Sequence, residues 1–343
     1  MDIRTTQTSI FLLLILCLFS LSACFRPDNP YPAFEPDSTS QQVEIPLGLY
    51  DPSIGDVRYA NQVFLDLGSG TYSFAERTTW DLGFATGPDQ NSVILNSANY
   101  MQLANASGKA FGESWTETEL ETLTFRFDSA IGSLAYTAIG DWQAKNAPTF
   151  ILDLGLNIDF SARGYLQLQI LSVDETTFTF RTAALDGCLI KEHELSKNPA
   201  QNFTFYSLEN AHSVSVAPPK TEWDLMFSYY SYRYPDGVPY WLTGALSNRF
   251  AVQTAQLHDS IQSWESLSLV DTVSYDFGSE VDIIGFDWKA YLFGPPARFV
   301  SYPEQIYLLR DTEGYYYKLR FLDFYNTEGL KGFPQLEYAL LTP

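Results

Sequence analysis

The chain has 343 residues, of which 20 are basic and 41 acidic, so its formal net charge is −21. It has no basic stripe that could neutralise phosphates, and this excludes nucleic acid as a partner. Aromatic residues make up 16% of the chain, a share that favours strands and a substantial core.

The first residues predict a leader and a lipid anchor. Arg4 precedes an apolar run from Ile10 to Leu21, which is too short to span a bilayer. The sequence Leu21-Ser22-Ala23-Cys24 resembles the lipobox of bacterial lipoproteins, in which the cysteine is lipidated. Residues 1–23 are therefore predicted to be a signal peptide and Cys24 the lipidation site. Several acyl chains anchor stably, and because no aspartate follows Cys24 we expect the outer membrane, with the face left open.

Residues 24–54 are rich in proline and predict an extended tether. Short alternating runs follow, which predict strands: QVFLDL, TTWDLGF, SVILNS, TFILDL, YLQLQIL and TFTFRTA. The segment from Thr116 to Leu123, with a threonine cap and an acidic first turn, predicts one short helix. Cys188, which has no partner cysteine once the leader and Cys24 are set aside, is expected to be a small buried hydrophobe.

A repeated motif predicts an internal duplication. Trp-Asp-Leu-x-Phe occurs at Trp80 and at Trp223, 143 positions apart (223 − 80), and the segment 163–171 has a counterpart at 313–321. We therefore expect an all-β body with little helix, built from two similar halves, 55–190 and 191–343. Strand alternation predicts that Trp80 shares a face with Leu82 and Phe84.

The two aspartates of the motif lie on the opposite face in this prediction. Asp81 and Asp224 are either solvated or accept hydrogen bonds from a neighbouring turn. A catalytic pair is the third reading. The sequence has no nucleophile elbow, phosphate loop or metal-spaced histidine cluster, and we expect no enzyme activity.

The motifs taken together resemble a known family. NQVFLDLGSGTYSFAERTTWDLGF, SVILNS, TEWDLMFSYY, LTGALSN and the closing YLLRDTEGYYYKLRFLDFYNTEGLKGFPQLEYALL are similar to the HmuY-like lipoproteins of the Bacteroidetes, over most of the chain. The namesake is a haem-binding, haemophore-like surface protein. The resemblance implies a β-sandwich of twisted sheets that captures haem with axial histidine or methionine side chains. It also implies delivery of haem to an outer-membrane transporter.

Few residues could serve as axial ligands in this chain. Met101 is the first candidate, and Met226 or His258 the second. For either methionine, filling a gap in the core is the alternative role. His193 lies in a polar connector and His212 on a turn, so both are expected at the surface.

An aromatic insert offers a different kind of site. The segment SYYSYRYPDGVPYWLTG can stack a porphyrin or a sugar ring, or can be an ordinary strand pair around a Pro-Asp-Gly turn. It therefore supports an alternative function, a surface glycan-binding or protein-binding module without haem. Its binding candidates are Tyr229, Tyr230, Tyr232, Tyr240 and Trp241.

Overall fold

The computed structural model describes residues 38–87, 91–106, 108–143 and 147–343. Their 22 strands, in chain order, are β1 (Gln41–Glu44), β2 (Gly48–Asp51), β3 (Asp56–Tyr59), β4 (Asn61–Leu65), β5 (Tyr72–Glu76), β6 (Leu82–Ala85), β7 (Val93–Leu95), β8 (Gln102–Asn105), β9 (Phe150–Asp153), β10 (Tyr165–Val173), β11 (Thr177–Ala183), β12 (Lys191–Ser196), β13 (Phe203–Ser207), β14 (His212–Val214), β15 (Leu225–Arg233), β16 (Pro239–Ser247), β17 (Gln253–His258), β18 (Lys289–Leu292), β19 (Arg298–Ser301), β20 (Gln305–Arg310), β21 (Tyr316–Tyr325) and β22 (Lys331–Leu340).

Helix is confined to short segments of three to six residues in the part of the chain that the structure describes. The α-helical turn α1 (Glu117–Leu120) begins at Thr116, whose side chain forms a capping box with Glu119. This confirms the short helix predicted from the threonine cap. The 3₁₀ turns are Arg77–Thr79, Ser97–Asn99, Leu134–Tyr136, Trp264–Ser266 and Leu269–Ser274.

The strands pair antiparallel in four larger sheets and two hairpins. The outer sheets have the orders β12-β11-β10-β9-β8 and β1-β22-β21-β20-β17, and the middle sheets have the orders β14-β13-β6-β7 and β16-β15-β4-β5. The hairpins are β2-β3 and β18-β19. The all-β class predicted from the alternating runs is thus confirmed.

Three layers of apolar side chains hold these sheets together. One cluster joins β6 and β7 to the outer sheet of β8 to β12, through residues such as Phe84 and Phe180. A second joins β4 and β15 to the other outer sheet, through residues such as Phe227 and Phe321. The third cluster, which contains Phe64 and Phe205, lies between the two middle sheets. The order of layers is therefore outer, middle, middle, outer.

Each middle sheet combines strands from distant parts of the chain. β4 pairs with β15, and β13 pairs with β6, so the strand that precedes each Trp-Asp-Leu motif joins the sheet that contains the other motif. β12 begins at Lys191 and pairs with β11. The boundary predicted between residues 190 and 191 therefore falls inside one sheet, and the two predicted halves interleave.

The predicted tether is packed where the structure describes it. β1 pairs with β22, from Gln41 opposite Tyr338 to Glu44 opposite Gln335. Ile45 and Leu47 are buried, and Ile45 belongs to a main core cluster. Residues 41–51 are thus part of the folded body, because Val43, Ile45 and Leu47 alternate toward the core. Residues 1–37, including the predicted leader and Cys24, lie outside the described residues.

Two further expectations need correction. Cys188 is exposed, because it follows the turn at Gly187 (φ 81°) and its N–H donates to Asp186 Oδ1 at 2.9 Å. Trp80 does not share a face with Leu82 and Phe84, because β6 begins only at Leu82. Trp80 packs between the middle sheets, whereas Leu82 and Phe84 face the outer sheet.

Candidate functional site

The two motif aspartates turn the chain so that both tryptophans face the same space. Asp81 Oδ2 accepts the N–H of Leu208 at 2.7 Å, and Asp224 Oδ2 accepts the N–H of Leu67 at 2.9 Å. Both aspartates are buried. This confirms the expectation that they accept hydrogen bonds from a neighbouring turn. Trp80 and Trp223 consequently lie in the one cluster between the middle sheets.

An apolar cavity of about 100 Å³ lies within this cluster. Trp80, Trp223, Phe205 and Met226 are among its lining residues. An aromatic wall with few polar groups is typical of a small-molecule site. The cavity is smaller than the ~300–1,000 Å³ of most such sites, so a large ligand enters only if side chains move.

A hydrogen-bonded pair of side chains fixes one wall of the cavity. Trp80 Nε1 donates to Gln62 Oε1 at 2.7 Å, and Gln62 Nε2 lies 3.8 Å from the Met226 sulfur. Gln62 is 2% exposed, so its amide is held by these two partners rather than by solvent. The thioether of Met226 is thereby oriented at the cavity wall.

Two ionisable residues, Asp128 and Arg249, line the cavity. Asp128 accepts the N–H groups of Leu95 and Ala138, both at 2.7 Å, and burial raises its pKa to about 6. Arg249 donates to the carbonyl of Gly132, and burial lowers its pKa to about 10. Asp128 and Arg249 are the one acidic and the one basic residue of the described lining, and its other side chains are apolar or uncharged polar groups.

The three predicted iron ligands are not brought together. Met101 is fully buried in the core between β6, β7 and the outer sheet. Met226 is half-buried and packs against the cluster between the middle sheets. His258 is exposed at the end of β17, where its Nδ1 accepts the N–H of Ser260 at 3.1 Å. Of the three, Met226 is the one that lines the cavity.

The prediction that His193 lies at the surface is wrong. His193 is 7% exposed in β12, with Nε2 2.9 Å from Thr182 Oγ1 and Nδ1 2.8 Å from the Tyr206 hydroxyl. Its ring stacks on Phe180 at 4.7 Å, and burial lowers its pKa. Both ring nitrogens are occupied, so His193 is a core residue. His212 is exposed, as predicted.

The aromatic insert forms a hairpin, as the strand-pair reading predicts. β15 and β16 pair along their full lengths around the turn at Pro235-Asp236-Gly237. Tyr229 stacks on Trp241 at 4.0 Å, and the Arg77 guanidinium lies 5.9 Å and 5.4 Å from the two ring centroids. These ring faces are therefore already covered.

The remaining tyrosines of the insert differ in exposure. Tyr230 is 1% exposed and belongs to a small core. Tyr232 is half-buried and meets Phe286 at 5.1 Å. Tyr240 is 50% exposed and contacts Tyr234 at 5.6 Å. Among the five candidates for stacking a sugar ring, Tyr240 alone is classed as exposed.

Within the described ranges, no group of three or more histidine, cysteine, aspartate or glutamate side chains is placed to hold a metal ion. The helical turns of the same ranges include none that is long and apolar enough to cross a bilayer.

The fold and the cavity define a layered, antiparallel all-β protein with an aromatic-lined internal space. Residues 199–338 match the family model of the HmuY protein, and this segment contains Trp223, Met226 and Arg249. The chain is therefore HmuY-like over that segment, as the sequence resemblance predicts. No curated protein matches the sequence.

Solved structures of low similarity were also found. An apo HmuY analogue from Tannerella forsythia has 8% identity and a TM-score of 0.32, with 90% of this chain and 100% of that chain covered. A putative HmuY-like heme-binding protein from Bacteroides vulgatus has 14% identity and a TM-score of 0.21, with 51% and 91% covered. A putative lipoprotein from Bacteroides fragilis has 14% identity and a TM-score of 0.21, with 51% and 88% covered. Because these scores are low, the family likeness rests on the match of residues 199–338.

Sequence reasoning named Met226 and Tyr230, which line the cavity, but missed other residues of its wall. Gln62, Asp128 and Arg249 lie far apart in the chain and carry no local motif. These residues come together because β4 pairs with β15 and β13 pairs with β6, and both pairings join distant parts of the chain. The repeated tryptophan was the one available signal.

Proposed function

We propose that this protein captures haem or a related porphyrin without catalysing a reaction, and that Met226 is an iron ligand. The observation that carries the proposal is the aromatic cavity with a thioether in its wall, within the segment that matches the HmuY family. A methionine that projects into an apolar slot is an established type of haem ligand. Met226 is preferred to Met101, which is buried in another core cluster, and to His258, which lies away from the cavity.

The residues present suit an iron porphyrin in chemical type, but not in the volume now enclosed. Trp80, Trp223 and Phe205 offer ring faces for a planar macrocycle, and Met226 offers a soft sulfur ligand. The 100 Å³ of the cavity would have to grow severalfold. On this proposal, the two middle sheets move apart when haem binds between them.

The proposal extends to location and partners. Cys24, lipidated after cleavage of residues 1–23, would hold the protein to the outer membrane, and an outer-membrane transporter would receive the haem. This rests on the lipobox and on the family likeness. Replacement of Cys24 by serine should release the protein from the membrane fraction. Retention of the Cys24→Ser protein in that fraction would contradict the anchor.

The proposal is tested by a haemin titration of the protein that begins at Phe25, which retains the compact unit 37–343. We expect a saturable one-to-one change in the Soret band. Met226→Leu should weaken binding by about tenfold or more and alter the spectrum, because the sulfur ligand is lost. Absence of a Soret change at micromolar protein would reject haem capture.

Met101→Leu is the matched control, because it makes the same chemical change in a different core cluster. It should leave haem affinity and spectrum unchanged, at a cost below about 1.5 kcal/mol in stability. If Met101→Leu removes the Soret change and Met226→Leu does not, the ligand assignment is wrong.

A further inference from the structure

Arg249 occupies a position between two spaces. It lines the internal cavity and also an outer groove of about 430 Å³, and in the described part of the chain it is the one residue that lines both. The walls of the two spaces come from the same segments, around residues 128–136 and 279–281. Arg249 therefore lies in the wall between the cavity and the groove.

The backbone at this position is firmly held, so the side chain can move alone. Asn248, the residue before Arg249, donates through Nδ2 to the carbonyls of Lys220 and Trp223, each at 2.9 Å. The Arg249 side chain itself makes a single hydrogen bond to protein among the residues described, to the Gly132 carbonyl. Its Cζ lies 5.3 Å from the centre of the Phe203 ring. Its movement would disrupt this hydrogen bond, this ring contact and the electrostatic attraction of Asp128.

Arg249 also has unused capacity to bind an anion. A guanidinium has five N–H donors, of which Gly132 takes one. No carboxylate of the described chain lies within ion-pair distance of it. Asp128 is close enough to interact electrostatically, but it already accepts the N–H groups of Leu95 and Ala138. The exposed Glu280 lines the groove as well.

We propose that Arg249 binds a carboxylate of the ligand, and that its side chain closes the cavity in the free protein. This inference rests on the proposed function, since it assumes that the cavity is the ligand site. It defines the ligand class as an apolar body that carries a peripheral carboxylate, with the body in the cavity and the acid at Arg249. Haem, which bears two propionates, belongs to this class.

The chemistry favours this exchange of partners. A carboxylate accepts two parallel N–H groups from a guanidinium, and such charge-assisted pairs are stronger than a bond to a neutral carbonyl. The pairing is strengthened where water is partly excluded, as at this half-buried position. The bond to the ligand carboxylate thus offsets the loss of the bond to Gly132. It also holds the Arg249 side chain away from the opening between the cavity and the groove.

The test compares matched ligands that differ in the acid alone. Haemin and its dimethyl ester, and dodecanoate and dodecanol, are titrated against the protein from Phe25. The common readout is the total tryptophan fluorescence, to which Trp80 and Trp223 of the cavity wall contribute. We expect each acid to bind about tenfold or more tightly than its neutral counterpart. Arg249→Gln should abolish that preference, whereas Arg249→Lys should retain part of it.

Arg298→Gln is the control for loss of one positive charge, because Arg298 is exposed in β19 and lines neither space. It should keep the full preference for acids, and Glu280→Gln should keep or slightly increase it. Arg249→Gln keeps a side-chain N–H donor at this position, and circular dichroism verifies that the variant is folded.

The outcomes separate this inference from the haem proposal. If haemin binds with a Met226-dependent Soret change but ester and acid bind alike, Arg249 is not the anion site and haem capture stands. If haemin fails but dodecanoate binds through Arg249, the inference stands and haem is not the ligand. If no probe binds, or Arg249→Gln keeps the preference for acids, the inference is rejected.

Discussion

The two Trp-Asp-Leu motifs, each with the asparagine that bonds to it, form two units. These units have the same hydrogen bonds but different charged neighbours. In the first, Asn96 donates through Nδ2 to the carbonyls of Arg77 and Trp80, each at 2.7 Å. In the second, Asn248 makes the same two bonds to Lys220 and Trp223. The backbone N–H of each aspartate bonds to a strand from the other predicted half, at Tyr206 or at Leu65.

The difference lies in what faces the aspartate. Arg163 Nη1 is 2.7 Å from Asp81 Oδ1, and both side chains are at least nine-tenths buried. Asp224 forms no ion pair with any described residue, and its second oxygen accepts the N–H of Thr312 at 3.2 Å. Glu313 stands at the position that matches Arg163 in the sequence repeat. In both motifs, backbone N–H groups that donate to the aspartate hold the turn. The ion pair with Arg163 is present in the first motif alone among the described residues.

The largest expected effect comes from breaking the ion pair. Arg163→Met leaves the buried Asp81 carboxylate without its cation, and such a loss typically costs about 3–5 kcal/mol. We expect the free energy of unfolding, measured by urea denaturation at pH 7, to fall by that amount. The matched change Glu313→Met alters an exposed side chain in the second unit and should cost less than about 0.5 kcal/mol. Equal losses in the two variants would show that the ion pair does not distinguish the units.

The next effect concerns pH. Burial, with Asp311 and Asp66 nearby, raises the pKa of Asp224 to about 7. Because the folded-state pKa lies above the unfolded value, the folded protein holds a proton that the unfolded chain loses. The contribution of Asp224 to stability therefore falls as pH rises from about 4 to about 7 and is constant beyond.

Asp224→Asn should remove this slope. We expect the difference in unfolding free energy between variant and wild type to shift by about 4 kcal/mol in favour of the variant between pH 4 and pH 8. Urea denaturation across that range measures it, and the subtraction cancels other titrating groups such as Asp128. A difference that stays flat with pH would mean that Asp224 titrates normally in the folded protein.

The sequence predicted the units and missed their surroundings, for physical reasons. Alternation identified the strands because side chains on a strand have a period of two. The same rule failed at Trp80, since β6 begins at Leu82, two residues after Trp80, and strand alternation does not extend back to the tryptophan. His193 was readable in principle, because it alternates with Leu195 in KEHELS, but its charged neighbours suggested a connector.

The cavity could not have been predicted by any local rule. Its walls depend on the pairing of β4 with β15 and of β13 with β6, and those strands are separated by more than a hundred residues. The repeat indicated that two tryptophans were equivalent, but not that they would meet. The duplication of whole halves stays a prediction, since the outer sheets and the inserts differ between the copies.

The smallest expected effect concerns the asparagine hydrogen bonds that both units share. Asn96→Ala and Asn248→Ala each leave two backbone carbonyls without a side-chain donor, so each should lower the free energy of unfolding by about 1–3 kcal/mol. The two asparagines have separate partners, and the double variant should therefore lose the sum of both. Urea denaturation of the three variants measures this. If the two losses of unfolding free energy differ by more than twofold, the asparagine bonds are alike in geometry but not in energy. The strand exchange between the middle sheets would then stabilise one Trp-Asp-Leu motif more than the other.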